Sequence, residues 1–137
     1  MSAGERVAEA ARTLVGVRFR PQGRCVDVGV DCIGLAAIAW GVPADATPRD
    51  YDLRMSDAGV IGAGFRAAGF VEADAVAAGD VLVVRAGFSQ AHAVVLTPGG
   101  FVHADAGLRR VVEVPGAVPW PISSVWRLPR RMCASFT

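Results

Sequence analysis

Asp31-Cys32-Ile33-Gly34-Leu35-Ala36-Ala37-Ile38-Ala39-Trp40 is the segment that decides how this chain folds. Its body is apolar on every side, which is typical of a helix buried inside a core. Asp31 is a good N-cap because its carboxylate accepts a hydrogen bond from the backbone of the first turn. Gly41 and Pro43 are residue types that end a helix. The segment therefore predicts a buried helix with Cys32 in its first turn.

Two further helices are predicted on either side of this segment. Ser2 and Glu5 form a capping box in front of an amphipathic pattern that runs up to Gly16. Residues 17–30 contain a proline and several glycines and predict a loop. A third helix is predicted to start at Ser56. Its apolar face carries Ile61, Phe65 and Ala68.

The second half of the chain consists of short β-rich runs between glycine and proline turns. The runs are residues 81–85, 91–96, 101–105, 111–114 and 124–128. Helices followed by a meander of strands predict an α+β fold, with N-terminal helices packed on a central antiparallel β-sheet. A chain of 137 residues is long enough to bury one core, so a single domain over residues 1–137 is predicted.

The composition excludes several classes of function. The 14 cations are all arginine and face 13 anions, for a formal net charge of +1, so no general attraction to nucleic acid is expected. Without lysine, neither Schiff-base chemistry nor a lysine-bearing phosphate loop is available. Glu5 and Glu9 interrupt the apolar run that a signal peptide needs, and residues 33–40 are too few to span a bilayer. We therefore expect no signal peptide, no membrane span and synthesis in the cytoplasm.

Cys32 is the first candidate for chemistry. A thiol in the first turn of a helix lies at the positive end of the helix dipole, which lowers the thiol pKa. The alternative is a core cysteine, because free cysteines are among the most buried residues. Cys25 is expected in a loop and Cys133 in the C-terminal tail. Three cysteines form no even disulfide framework, which is typical of a reducing compartment.

The two histidines, His92 and His103, lie in neighbouring predicted strands. The turn between them is Thr97-Pro98-Gly99-Gly100. An even-numbered loop puts both imidazoles on one face of the sheet, with backbones about 7–8 Å apart, whereas an odd loop puts them on opposite faces. On one face, the pair indicates nucleophilic catalysis, in which His92 accepts the proton of Cys32 and His103 orients His92.

Four motifs in this order resemble the NlpC-type cell-wall peptidases, a papain-like family of cysteine hydrolases. They are Asp31-Cys32-Ile33-Gly34-Leu35, Gly79-Asp80-Val81-Leu82, Gln90-Ala91-His92-Ala93-Val94-Val95 and Phe101-Val102-His103-Ala104. The resemblance covers residues 5–114. It is greatest to the short single-domain members of phage tail modules and gene transfer particles. Ile33 stands where the family usually has serine, and Phe19 where it often has tyrosine.

The resemblance implies a cysteine endopeptidase that cleaves peptidoglycan stem peptides, commonly between D-glutamate and diaminopimelate, through a thioester. The implied catalytic residues are Cys32 as the nucleophile, His92 as the base and His103 as the orienting group. Residues implied to bind substrate or the oxyanion are Asp31, Phe19 and Gln90. No metal or organic cofactor is implied. The implied partners are stem peptides and phage-like tail proteins, with a virion or tail particle as the location.

The sequence is compatible with three alternatives to a cysteine peptidase. Cys25, Cys32, His92 and His103 are a set of thiols and imidazoles that zinc accepts. A non-catalytic tail-tip adaptor is a second use of the same fold. An amidase, thioesterase or acyltransferase is a third, since each uses the same thioester chemistry.

Overall fold

The computed structural model describes residues 1–47, 57–87 and 90–129. The helices are α1 (Ala3–Thr13), α2 (Cys32–Trp40) and α3 (Ala58–Ala67), with a 3₁₀ turn at Ala44–Ala46. The strands are β1 (Arg24–Cys25), β2 (Gly29–Val30), β3 (Val71–Glu72), β4 (Val81–Gly87), β5 (Gln90–Thr97), β6 (Gly100–Asp105), β7 (Arg110–Pro115) and β8 (Ile122–Arg127). The α+β prediction is confirmed.

The main sheet has six strands in the order β3-β8-β4-β5-β6-β7. Every neighbouring pair is antiparallel. Strands β1 and β2 form a separate small hairpin within residues 17–30, where only a loop was predicted. Two-residue strands carry too little periodicity to be recognised in a sequence.

The two faces of the main sheet differ in what covers them. On the inner face, all three helices pack against one hydrophobic cluster that includes Val83, Ala93 and Val102. On the outer face, a smaller cluster includes Val84, Val94 and Phe101 and is covered in part by Trp120. Because side chains alternate along a strand, each residue of β4, β5 and β6 faces either the helices or this smaller cluster.

Gly79-Asp80 joins the helices to the start of β4. Gly79 has φ +88°, and its carbonyl accepts a hydrogen bond from Trp40 Nε1 at 3.0 Å. A Cβ at this position would lie 2.3 Å from the carbonyl oxygen of Gly4. Glycine is therefore required both by the positive φ and by this close approach. Asp80 is buried and binds Arg127 through both of its carboxylate oxygens. The motif is thus a structural junction between α1, α2 and the sheet.

The helices follow the predicted pattern with two adjustments. The capping box of Ser2 and Glu5 is present, and α1 ends at Thr13, before the predicted limit of Gly16. Helix α3 buries Ile61 and Phe65 as predicted, and Asp57 is its N-cap. The predicted start, Ser56, lies outside the described residues. Within the described ranges, no helix is long and apolar enough to cross a membrane.

Candidate active site

Cys32 is the first residue of α2, as predicted. The Asp31 carboxylate caps the helix by accepting a hydrogen bond from the Gly34 backbone N–H at 2.9 Å. All but one of the residues of α2 are buried, so the helix lies in the core between α1 and the inner face of the sheet. The apolar sequence of α2 therefore places the thiol inside the molecule.

Asp31 is also the centre of a buried polar network. It is 0% exposed, accepts a hydrogen bond from the Gln22 backbone N–H and pairs with the Arg24 guanidinium at 3.0 Å. Arg24 in turn donates to the hydroxyl of Thr47. With its carboxylate enclosed by these groups, Asp31 is not accessible to a ligand. These bonds fix the loop that precedes Cys32. The predicted substrate or oxyanion role of Asp31 stays a prediction.

The Cys32 thiol is held in its neutral form. Burial raises the pKa of Cys32 to about 12, and the negative charge of Asp31 acts in the same direction. A backbone hydrogen bond from Ala93 and the positive charge of Arg24 oppose this shift and are smaller. Cys32 is only 1% exposed. Although Cys32 opens a helix, burial is the largest influence on its pKa and keeps the thiol protonated.

The two histidines form the coupled pair that an even-numbered loop predicts. Leu96 lies opposite Phe101 and Thr97 opposite Gly100, so the loop between β5 and β6 has two residues. His92 Nε2 and His103 Nδ1 are 2.9 Å apart. A hydrogen bond of this length needs one protonated and one unprotonated nitrogen. When both rings are neutral, one ring therefore donates its N–H and the other accepts with its unprotonated nitrogen.

The histidine pair lies on the outer face of the sheet, away from Cys32. In β5, Ala91 and Ala93 belong to the inner cluster, and His92 between them points the other way. His103 likewise packs with Phe101 and the indole of Trp120. The predicted transfer of the Cys32 proton to His92 therefore does not fit this structure, since the strand β5 separates the two side chains. The catalytic roles of the three residues stay predictions.

Burial disfavours the protonated, positively charged form of both imidazoles. Burial lowers the pKa of His92 to about 4, and the neighbouring His103 lowers it further, against the opposing charge of Asp105. Burial also lowers the pKa of His103. Both rings are thus neutral near pH 7, which is the protonation state of a general base. The neutral imidazoles lie on the face of the sheet opposite to the inner cluster that contains Cys32.

Phe19 and Gln90 have different surroundings. Phe19 forms an isolated bridge with Val30 and packs against the inner cluster, where its ring supplies no hydrogen-bond donor. Gln90 is exposed at the first position of β5 and lines a cavity together with Ala91. Gln90 is therefore the most exposed of the three predicted substrate-binding residues, since Phe19 is half-buried and Asp31 is buried.

The zinc alternative is not supported. Cys25 is exposed on β1, whereas Cys32 is buried. Across the described part of the chain, no three histidine, cysteine or acidic side chains are arranged to hold a metal ion. Cys133 lies outside the described residues.

We predict that iodoacetamide at pH 8 labels Cys25 at least about a hundredfold faster than Cys32, because only the thiolate reacts and Cys32 is buried and protonated. Peptide mass spectrometry after timed quenching measures each cysteine separately. Unfolding in urea should bring Cys32 to the rate of Cys25. Fast labelling of Cys32 in the folded protein would show that the thiol is open and activated.

The chain has the fold of NlpC/P60 domains. NlpC2 from Trichomonas vaginalis superposes with a TM-score of 0.63 at 18% identity, over 92% of this chain and 48% of that one. The peptidoglycan hydrolase RipB from Mycobacterium tuberculosis has a TM-score of 0.57 at 23% identity, over 92% of this chain and 64% of RipB. The NlpC/p60 domain of the peptidoglycan hydrolase SagA has a TM-score of 0.53 at 18% identity, over 82% of this chain and 88% of that one.

These similarities confirm the predicted resemblance at the level of fold. The chain spans only 48% and 45% of the length of NlpC2 and NlpC1 from Trichomonas vaginalis. No protein-family model matches the chain, and neither does any curated protein sequence.

Proposed function

We propose that this protein is a cysteine peptidase acting on the stem peptides of bacterial peptidoglycan. The observation that carries the proposal is the position of Cys32, the first residue of a capped helix that packs on the sheet of an NlpC/P60 fold. SagA and RipB, which share the fold, are peptidoglycan hydrolases. The bond between D-glutamate and diaminopimelate is the proposed point of cleavage.

The proposed reaction needs the Cys32 sulfur to attack the peptide carbonyl as a thiolate. The carbon–nitrogen bond then breaks, the amine leaves with a proton, and water hydrolyses the thioester. A base on the inner face must accept the thiol proton, and Ala91 and Ala93 have no group that does so. His92 lies between these two alanines, so the reaction requires the start of β5 to turn His92 toward Cys32 when substrate binds.

A second candidate is an adaptor of the same fold that binds stem peptides without cleaving them. One specific observation favours it: the buried, neutral thiol belongs to the inner cluster, whereas the histidine pair packs on the outer face of the sheet. An amidase, thioesterase or acyltransferase would need the same rearrangement as the peptidase, so this observation disfavours all of them equally.

The test is release of peptide fragments from purified peptidoglycan, followed by mass spectrometry. We expect the wild type to release fragments and Cys32→Ala to lower the rate by at least about a thousandfold, as expected when a nucleophile is lost. Cys25→Ala is the matched control, because Cys25 is exposed and outside the core. If Cys32→Ala releases fragments as fast as the wild type, the peptidase proposal is wrong. If the wild type sediments with peptidoglycan and releases nothing, the adaptor is the correct reading.

Association with phage-like tail proteins and location in a virion or tail particle are also proposed, on the resemblance to short phage members alone. Mass spectrometry of purified particles from the source cells tests both. The protein should be recovered with the tail proteins, and its recovery only from the soluble cell extract would contradict the proposal.

A further inference from the structure

A cavity of about 490 Å³ lies where β4 ends, β5 begins and α3 begins. Three side chains of its lining are hydrogen-bond donors: Arg85, Gln90 and Ser123. All three are exposed, and within residues 1–47, 57–87 and 90–129 Arg85 forms no ion pair. A guanidinium, an amide and a hydroxyl that converge on one space are the donors that a carboxylate binds.

The cavity reaches the inner face of the sheet at Ala91. Ala91 lines the cavity and belongs to the same hydrophobic cluster as Cys32. Ala93, the next residue of β5 on that face, makes the backbone hydrogen bond to the Cys32 sulfur. Two residues of a strand span about 6.8 Å, so Ala91 in the cavity lining lies about this far along β5 from the residue that contacts the Cys32 sulfur.

The sheet is irregular on both sides of this cavity. The β4–β5 pairing passes from Arg85 opposite Ala91 to Gly87 opposite Gln90 and skips Ala86. The β4–β8 pairing skips Ser123 in the same way. Such bulges re-aim side chains and are over-represented next to active sites. The skipped Ser123 is one of the three hydrogen-bond donors of the cavity.

Asp57 is the acidic side chain of the lining. Its Oδ1 atom accepts a hydrogen bond from the Val60 backbone N–H at 2.8 Å, because Asp57 is the N-cap of α3. One of its carboxylate oxygens is thus engaged by the helix, and Arg85 is the cation that faces a ligand.

We propose that this cavity is a subsite for a carboxylate of the ligand, with Arg85 as the ion-pairing group and Gln90 and Ser123 as hydrogen-bond donors. The identity of the ligand as a stem peptide rests on the proposed function. The tripeptide L-alanyl-γ-D-glutamyl-diaminopimelate carries free carboxylates. The amidated tripeptide, in which every carboxylate is converted to an amide, carries none. Glutarate is a dicarboxylate that tests the cavity without any stem peptide.

The experiment is an NMR titration of the folded protein with glutarate, the tripeptide and the amidated tripeptide. We expect Arg85→Gln to weaken the binding of glutarate and of the tripeptide about tenfold or more, as expected for the loss of a charge-assisted hydrogen bond. Binding of the amidated tripeptide should not change. Arg6→Gln is the matched control, since Arg6 is an exposed arginine of α1 outside the cavity.

The outcomes separate the subsite from the proposed function. If glutarate binds in an Arg85-dependent manner and the tripeptide does not bind, the carboxylate subsite is supported and the stem-peptide function is contradicted. If Arg85→Gln and Arg6→Gln bind glutarate and the tripeptide like the wild type, the subsite is wrong, whatever the activity on peptidoglycan. Because Arg85 is exposed, both variants should unfold at the same urea concentration as the wild type.

Discussion

Replacing Asp31 by alanine should lower the free energy of unfolding by about 3–5 kcal/mol, which is the cost of breaking a buried ion pair from one side. The carboxylate caps α2 and pairs with Arg24, and the side chains of the two residues are 0% and 2% exposed. Its loss removes the charge that compensates a guanidinium inside the core. Urea denaturation at pH 7 measures the effect.

The matched control is Asp57→Ala. Asp57 caps α3 in the same way, through a hydrogen bond from a backbone N–H three residues on, but it is exposed and forms no ion pair within the described ranges. Removing an exposed cap costs about 1 kcal/mol. The difference between the two variants isolates the contribution of burial and of Arg24. Equal losses would show that Asp31 acts only as a helix cap.

The second large effect is a loss of stability in mild acid. Burial and the proximity of His103 lower the pKa of His92 from 6.5 to about 4 in the folded protein. A group whose pKa is lowered by folding stabilises the fold at pH values above its unfolded pKa. This stabilisation is lost as the pH falls from the unfolded pKa to the folded pKa. We therefore expect the free energy of unfolding to decrease between pH 6.5 and pH 4, by about 3 kcal/mol for a shift of this size. His103, whose pKa is also lowered, adds to the loss.

The chain contains only two histidines, so the change in the free energy of unfolding in the upper part of this pH range comes from them. Urea denaturation at pH 7 and pH 5 should show a clear loss for the wild type. In His92→Gln the glutamine does not titrate, and the loss between the two pH values should shrink to the part that His103 supplies. An unchanged free energy of unfolding in the wild type at pH 5 would mean that the pair is protonated at no cost, and that it is not enclosed as described.

The burial of Cys32 has a direct consequence for the choice between peptidase and adaptor. A thiol whose pKa is about 12 is almost fully protonated at pH 7, so hydrolysis depends on a rearrangement that substrate must drive. Labelling of Cys32 by iodoacetamide in the presence and absence of peptidoglycan fragments reports on that rearrangement without relying on turnover. Protection in both states favours the adaptor.

Local chemistry alone determined several elements of this protein. The uniform apolar character of residues 33–40 is sufficient to predict a buried helix, and Asp31 marks where it begins. Likewise, the length of the Thr97-Pro98-Gly99-Gly100 turn decides whether His92 and His103 share a face, because side chains alternate with a period of two. These predictions depend on backbone geometry and on neighbours in the chain, both of which a sequence contains.

Only the tertiary structure decided which face the histidines share. In β5, Ala91, Ala93 and Val95 face the helices, while Val94 and Leu96 face the outer cluster, so both faces are apolar. A strand buried on both sides has no hydrophobic alternation that tells one face from the other. The same limit applies to Arg24, which reads as a loop arginine and is buried against Asp31. Whether a thiol, an imidazole or a guanidinium is exposed depends on what packs over it, and that is set by contacts between residues far apart in the chain.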